Sequence, residues 1–578
     1  MSAASTQRLR AQRVVGSMLW AAWADSLGFI SELIDEAGLR RRLRDRPLRA
    51  PVAWTRRVGG RFGVEARLPA GCYSDDTQLR LATARALSNR GFDIDAFARV
   101  ELTVWPAYAL GGGRACKAAV ANLTRSGTPW FGNFFDGWID AGGNGAAMRI
   151  QPHVWAARRP AELGPHLVDV FVNTVTTHGH PRALVGAILH AVTLGSVLDT
   201  GEIPGPDRWP VLMEMTEQAI KLLDGHPELS SLWRPSWEQA TGRGLDEAWR
   251  DTIEECRHML PAAHKAVDAL RHAESTADTS TRNRAYGTFT SSLGLADPAT
   301  RGSGTATVIA ALVLAAAYPN DPSGCSLLAA RTVGTDTDTI ATMAAALVGA
   351  IADTPAPEPL LDAQYLTEEA RRLAHIAADQ PAATFSYPDP LHWTPPRTQL
   401  DAVGTVDGAL ALAGMGWLEP IPNSEHLQSH SGVWRWMRSD FGPTFLLKQR
   451  PTPRALPEGA RPIWRGQGNW STRHADLNGV HDGQPPLRDT APVNTAQRGY
   501  AGTLDLPASG SRRQGRARSE EIDVNQMLAW VARKGYTNEA IGHVIRDLVK
   551  RGTVEQLIAF TTALRATAKR PAQRADEP

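Results

Sequence analysis

The chain has 578 residues, with 62 lysines and arginines against 60 aspartates and glutamates. A formal charge of +2 leaves no global field to draw the whole protein onto nucleic acid or an anionic membrane. Hydrophobic residues make up 43% and charged residues 21%, an ordinary globular balance, and the length allows about three or four domains unless one large helical domain takes half of it.

The four cysteines, Cys72, Cys116, Cys256 and Cys325, show no C-x-x-C spacing and read as reduced thiols. Residues 1–13 are polar and basic, and Asp25 interrupts the apolar segment 14–30, unlike the core of a signal peptide. The longest apolar run, 308–317, falls short of the roughly 20 residues a bilayer span needs. A cytoplasmic protein is expected.

The first two-thirds reads as helix after helix. Val14, Val15, Met18, Leu19 and Ala22 recur at helical spacing, as do Ile340, Met343, Ala344, Leu347 and Ile351. Segments 183–192 and 305–317 are apolar on every side and predict buried helices. Strand-like alternation is scarce before residue 380. Glycine clusters at 111–113, 142–145 and 302–304 mark loops. Prolines at 355, 357 and 359 break the pattern, and one more helix is predicted over about 362–378. Two short β-like runs within 432–448 flank Asp440-Phe441-Gly442-Pro443, which predicts a hairpin. An Arg/Pro/Gly-rich stretch follows, expected to be disordered or extended, and helical periodicity returns over 520–568. The expected organisation is an all-α domain over 1–380, a small mixed or β segment over 381–470, a linker over 471–518 and a helical module over 519–578.

Two motifs carry the chemistry. Ser74-Asp75-Asp76-Thr77 opens one helix and Asp336-Thr337-Asp338-Thr339 opens another. Singly, each is adequate capping chemistry, because carboxylates near a helix N-terminus are stabilised by its dipole. Capping needs one acceptor, however, and here paired carboxylates beside hydroxyls occur twice. If the two helix starts face each other, about four negative charges of hard oxygen ligands gather, which cations must fill. Mg²⁺ suits such ligands best, then Mn²⁺. Asp25 is either a paired buried acid or a solvent-facing residue at a helix end.

In chain order the motifs resemble the ADP-ribosylglycohydrolase family, the group that includes the dinitrogenase-reductase-activating glycohydrolase. The matching stretches are Ala24-Asp25-Ser26-Leu27-Gly28 followed by Glu32, then Ser74 to Thr77, Gly111-Gly112-Gly113-Arg114, Asn144 to Pro152, Thr177-His178, and Gly334 to Thr339. Ala24 and Thr335 stand where the family carries glycine. The resemblance implies an all-α fold with two Mg²⁺ in a central cleft. It implies Ser74, Asp75, Asp76, Asp336, Asp338 and Thr339 as metal ligands. Gly111, Gly112, Gly113, Asn144, Gly145, Met148 and His178 are implied as substrate contacts, although Met148 and Arg149 are also suited to bracing their loop, and His178 to a core role. Glu32 is implied as the acid/base carboxylate, with Asp75 and Asp76 as alternatives.

The implied reaction is hydrolysis of the C1″ glycosidic bond of ADP-ribose on a protein, nucleic acid or small molecule. Rival readings are an ADP-ribose-binding pseudoenzyme or interaction protein, and a fusion whose C-terminal region meets a protein or nucleic acid. For the latter, Arg461 to Arg518 with Trp464 and Trp470 offers basic and aromatic residues, though a solvated linker fits as well. Residues 535–541 faintly resemble a helix-turn-helix start, and a protein-docking helical pair fits equally. Specificity loops are expected at 52–70 or 131–141. There is no P-loop, His-Glu-x-x-His or Gly-x-Ser-x-Gly.

Overall fold

Alanine, valine and leucine on every side leave the helix Gly304–Ala317 no polar face, and all its residues are buried. The structure is a computed structural model that describes residues 3–463, apart from 127, 276–278 and 391, and residues 524–564, apart from 535, 554–555 and 562–563. The stretch 471–518, with its arginines, Trp464 and Trp470 lie outside the described residues. The described residues form two compact units, one ending at residue 463 and one beginning at 524.

In the first unit, α1 (Ala3–Gly28) lies along the helix Thr337–Val348. Ser17 Oγ donates to the Ala346 carbonyl at 2.6 Å, and Thr342 Oγ1 donates to the Ala21 carbonyl at 2.7 Å. The helix Pro181–Thr200 is long and apolar enough to cross a bilayer by composition, yet it packs inside this unit. The short α2 (Glu36–Leu43) and α3 (Asp75–Arg85) flank the site described below.

The helical body is not free of strands. β1 (Trp54–Val58) pairs antiparallel with β2 (Val64–Leu68), and β3 (Leu87–Ser88) with β4 (Gly91–Phe92). Strands are scarce before residue 380, as expected, and among the described residues are confined to these two hairpins; in β1 Arg56 and Arg57 put a cation on each face and mask the alternation, while β2 turns Val64, Ala66 and Leu68 inward and Glu65 and Arg67 outward.

Beyond the helix Ala363–Ala377 come β5 (Val403–Val406), β6 (Ala409–Leu412), β7 (Gly416–Pro420), β8 (Leu427–Ser429), β9 (Gly432–Ser439) and β10 (Thr444–Gln449). They form an antiparallel sheet in the order β10-β9-β7-β6-β5, with β8 added on β9. The expected hairpin is β9–β10, turning at Gly442 with φ 120°. This sheet packs on the helical body, the Tyr108 and Phe445 rings lying 4.3 Å apart, and in the segment before β5 Trp393 Nε1 donates to the Arg99 carbonyl at 2.6 Å.

The second unit contains the helices Val524–Arg533 and Asn538–Arg551, with Thr537 as the cap of the latter and a small core of Val531, Val544, Leu548 and Phe560.

Candidate active site

The first acidic motif is fixed from two directions. Ser74 caps α3, its Oγ accepting from the Asp76 amide at 3.1 Å. Asp25, on the last turn of α1, reaches the same helix start. One carboxylate oxygen accepts from the Ser74 amide at 3.0 Å; the other accepts from the Thr77 amide at 3.0 Å and from Thr77 Oγ1 at 2.6 Å. Asp25 is fully buried, which overturns the solvent-facing alternative.

The second motif meets the first through glycine. A side chain at Gly28 would come within 2.6 Å of the Asp338 Cα, so only glycine lets α1 and the helix Thr337–Val348 approach so closely. Beyond Gly28 the chain turns through Glu32 and is tied back, the Leu33 amide donating to the Thr335 carbonyl at 3.3 Å and the Gly334 amide to the Ile34 carbonyl at 2.8 Å. Thr335 spends its hydroxyl on the Thr332 carbonyl at 2.7 Å.

Oxygen atoms of Glu32, Asp336 and Asp338 thereby lie within 4.8 Å of one another. Asp75 and Asp76 repel Asp336 and each other across the same space, and Asp76 Oδ2 is buried without a hydrogen-bond partner among the described residues. Burial, followed by repulsion from Glu32 and Asp25, pushes the Asp75 carboxyl up to about 7. Burial likewise raises Asp76, Asp336 and Asp338, with neighbouring carboxylates adding to it. A set of hard oxygen donors, one of them buried and unpartnered, fits a divalent cation.

The other expected residues sit around this cluster. Asn144 Nδ2 donates to Asp336 Oδ2 at 2.9 Å, and its amide donates to the Gly302 carbonyl. The Thr339 amide donates to Asp338 Oδ1 at 3.0 Å, and its side chain bonds Asp336. Gly111 packs directly on the Asp75 carboxylate, where a side chain would collide; Gly112 rests on Trp105, while Gly113 faces open space. His178 lies against Gly145, its Nδ1 2.7 Å from Thr177 Oγ1, and burial drives its pKa down to about 3. Met148 is buried, with its carbonyl accepting from Arg80 at 3.1 Å.

Two residues escaped the sequence reading. Arg80 is fully buried and bonds Met148, Gln151, Thr77 and Thr342, tying α3 to the Asn144 loop and to the second motif's helix. Its signal was a cation in the otherwise apolar stretch 79–82. Arg56, on β1, forms a 3.0 Å ion pair with Glu32 and lies 4.4 Å over the Phe29 ring. Nothing in its spacing from Glu32 marked it.

A family model for ADP-ribosylglycohydrolases matches residues 5–384, which include all of these residues. The chain belongs to the ADP-ribosylglycohydrolase family. Comparison with curated proteins gives no match. Among solved structures, an ADP-ribosylglycohydrolase-related protein complex is similar at 20% identity and a TM-score of 0.37, covering 64% of this chain and 99% of the other. As an ADP-ribosylglycohydrolase, this chain is a glycohydrolase acting on ADP-ribose, with its motifs on one helical body followed by a sheet.

Proposed function

We propose that this ADP-ribosylglycohydrolase is Mg²⁺-dependent and releases ADP-ribose from a modified target by hydrolysing its C1″ glycosidic bond. The observation that carries the reading is the convergence of Glu32, Asp336 and Asp338 within 4.8 Å beside the unpartnered Asp76 oxygen. Ser74, Asp75, Asp76, Asp336, Asp338 and Thr339 would hold two ions. Bound Mg²⁺, or Mn²⁺, supplies Lewis acidity and an anchor for the ribose hydroxyls.

The chain's own residues supply the rest. Glu32, held by Arg56 at 3.0 Å, accepts the proton of the attacking water as the water oxygen bonds to C1″. The bond from C1″ to the leaving atom breaks through an oxocarbenium-like state, and the leaving group departs with a proton returned from the carboxylic acid. Asn144 keeps Asp336 aimed into the cluster. The glycine loops at 111–113 and 142–145 offer backbone amides to the pyrophosphate.

The test is a hydrolysis panel of ADP-ribosyl-arginine, ADP-ribosyl-serine and ADP-ribosyl-DNA, with and without Mg²⁺, on the wild type and on Asp336→Ala/Asp338→Ala. Release that depends on Mg²⁺ and vanishes in the variant is expected. Unchanged turnover in the variant sinks the metal assignment. ADP-ribose binding with no turnover of any substrate replaces the enzyme with a binding protein.

A further inference from the structure

Residues 40–67 hold ten arginines against two acids, Asp45 and Glu65. Among the described residues only Arg56 and Arg57 of the ten form ion pairs, with Glu32 and Glu65. The other eight concentrate positive charge on a chain whose overall charge is only +2.

The fold packs α2 on β1, and β1 holds Glu32 of the active site through Arg56. Strand alternation turns Arg56 inward to Glu32 and Arg57 outward. Arg67, opposite Thr55 on β2, shares the outer face with Arg57. The Arg42 guanidinium lies 4.7 Å over the Trp54 ring and fastens α2 to β1, while Arg40, Arg41 and Arg44 of α2 and its cap are exposed. At the hairpin tip, Arg61 lies 5.5 Å from the centre of the Phe62 ring, and Phe62 is 74% exposed, more than any other large apolar side chain described.

Unpaired guanidinium groups bind phosphates, and each phosphate contact releases counterions. An aromatic ring in solvent beside them offers a stacking platform for an unpaired base. A duplex presents no free base faces, and an acidic peptide uses the charges but has no call on the ring. We propose that the solvent-exposed surface of α2 and of the β1–β2 hairpin docks single-stranded nucleic acid and presents an ADP-ribosylated nucleotide to Glu32. The presentation step rests on the function proposed above; the docking itself does not.

The experiment is fluorescence anisotropy of a labelled single-stranded DNA of roughly 12 nucleotides with the full-length protein, over salt from about 50 to 200 mM. The variants are Arg40→Glu/Arg41→Glu/Arg67→Glu and, separately, Phe62→Ala. Wild-type affinity should fall linearly in log–log form with salt. The triple variant should bind at least ~10-fold more weakly with a shallower salt slope. Phe62→Ala should weaken the single strand while leaving duplex binding unchanged. Neither should alter hydrolysis of a small ADP-ribosyl compound. Absence of binding at low salt overturns the proposal, as does equal affinity in wild type and both variants, which would put the contact elsewhere in the chain. Competition by poly-glutamate as strong as by DNA, independent of Phe62, replaces the nucleic acid with an acidic protein partner. Loss of small-compound hydrolysis in the wild type would fault the enzymatic reading alone and leave the docking result standing.

Discussion

Asp25 and Thr77, 52 positions apart, are joined by two hydrogen bonds to one carboxylate oxygen, from the Thr77 amide at 3.0 Å and from its hydroxyl at 2.6 Å. Asp25 thus serves the first turn of α3 from another helix and holds Asp75 and Asp76 in place, while its own charge adds to their repulsion. Asparagine at this position has one oxygen for three donors and turns an NH₂ towards one of them. Asp25→Asn should cost about 2 kcal/mol of stability, since a buried donor loses its acceptor. Partners that orient ligands typically set metal affinity by about 10- to 100-fold, so calorimetry should also show Mg²⁺ binding weakened by at least ~10-fold. Unchanged metal affinity in a folded variant would make Asp25 a structural acid only.

The carboxylate cluster is a source of repulsion until a cation enters it. Asp336→Asn/Asp338→Asn should therefore melt above the wild type in chelator, because two of the mutually repelling buried charges are gone. With Mg²⁺ at 100 times its dissociation constant, the wild type should gain about 2.7 kcal/mol and overtake a variant that no longer responds. Thermal melts with EDTA and with Mg²⁺ separate the two cases. A variant less stable than the wild type in EDTA would show that the cluster is held by hydrogen bonds that outweigh its repulsion.

Much of this site was legible because acids before apolar helices are conspicuous, and Asp75-Asp76 and Asp336-x-Asp338 could be matched by type and order. What the sequence hid was convergence: Glu32 meets Asp338 only because Gly28 lets two backbones approach, and one glycine in a long helix does not announce its neighbour. Arg80 was hidden for another reason, since its partners come from 148, 151 and 342. In the sheet, β9 and β10 were readable from their aromatic runs and turn. The β5–β6 hairpin carried its own signal, Asp407-Gly408, both in the left-handed region at φ 50° and 83°, but its flanking strands are short and poor in aromatic residues.

His153 should set part of the acid limit of stability. It is buried, with Nε2 3.2 Å from Asn173 Nδ2 and Nδ1 without a partner among the described residues. Burial, with repulsion from His166 and Arg149, pushes it down to about 3. The unfolded chain takes up this proton first, near pH 6.5, so the contribution is intact above 6.5 and is lost progressively as pH falls towards 3. At pH 5 the loss should be about 2 kcal/mol. Urea melts of His153→Gln should fall less steeply than wild type between pH 6.5 and 5. Parallel curves would assign the acid limb to other groups.

The last relationship concerns the sheet. Asp362 accepts from the Thr444 amide at 2.9 Å, from Thr444 Oγ1 at 2.8 Å and from Tyr73 Oη at 2.8 Å. One carboxylate therefore joins β10 to the residue immediately before Ser74, and burial raises its pKa while these three bonds lower it. Tyr73→Phe removes one bond and should cost about 1 kcal/mol, whereas Asp362→Ala leaves a buried amide and two hydroxyls without their acceptor and should cost about 3 kcal/mol or more. If the sheet steadies the first acidic motif, Asp362→Ala should also weaken Mg²⁺ binding, and Tyr73→Phe should do so less. Calorimetry at a temperature where both variants remain folded measures this directly. Stability loss with metal binding untouched would confine the sheet to holding the fold together.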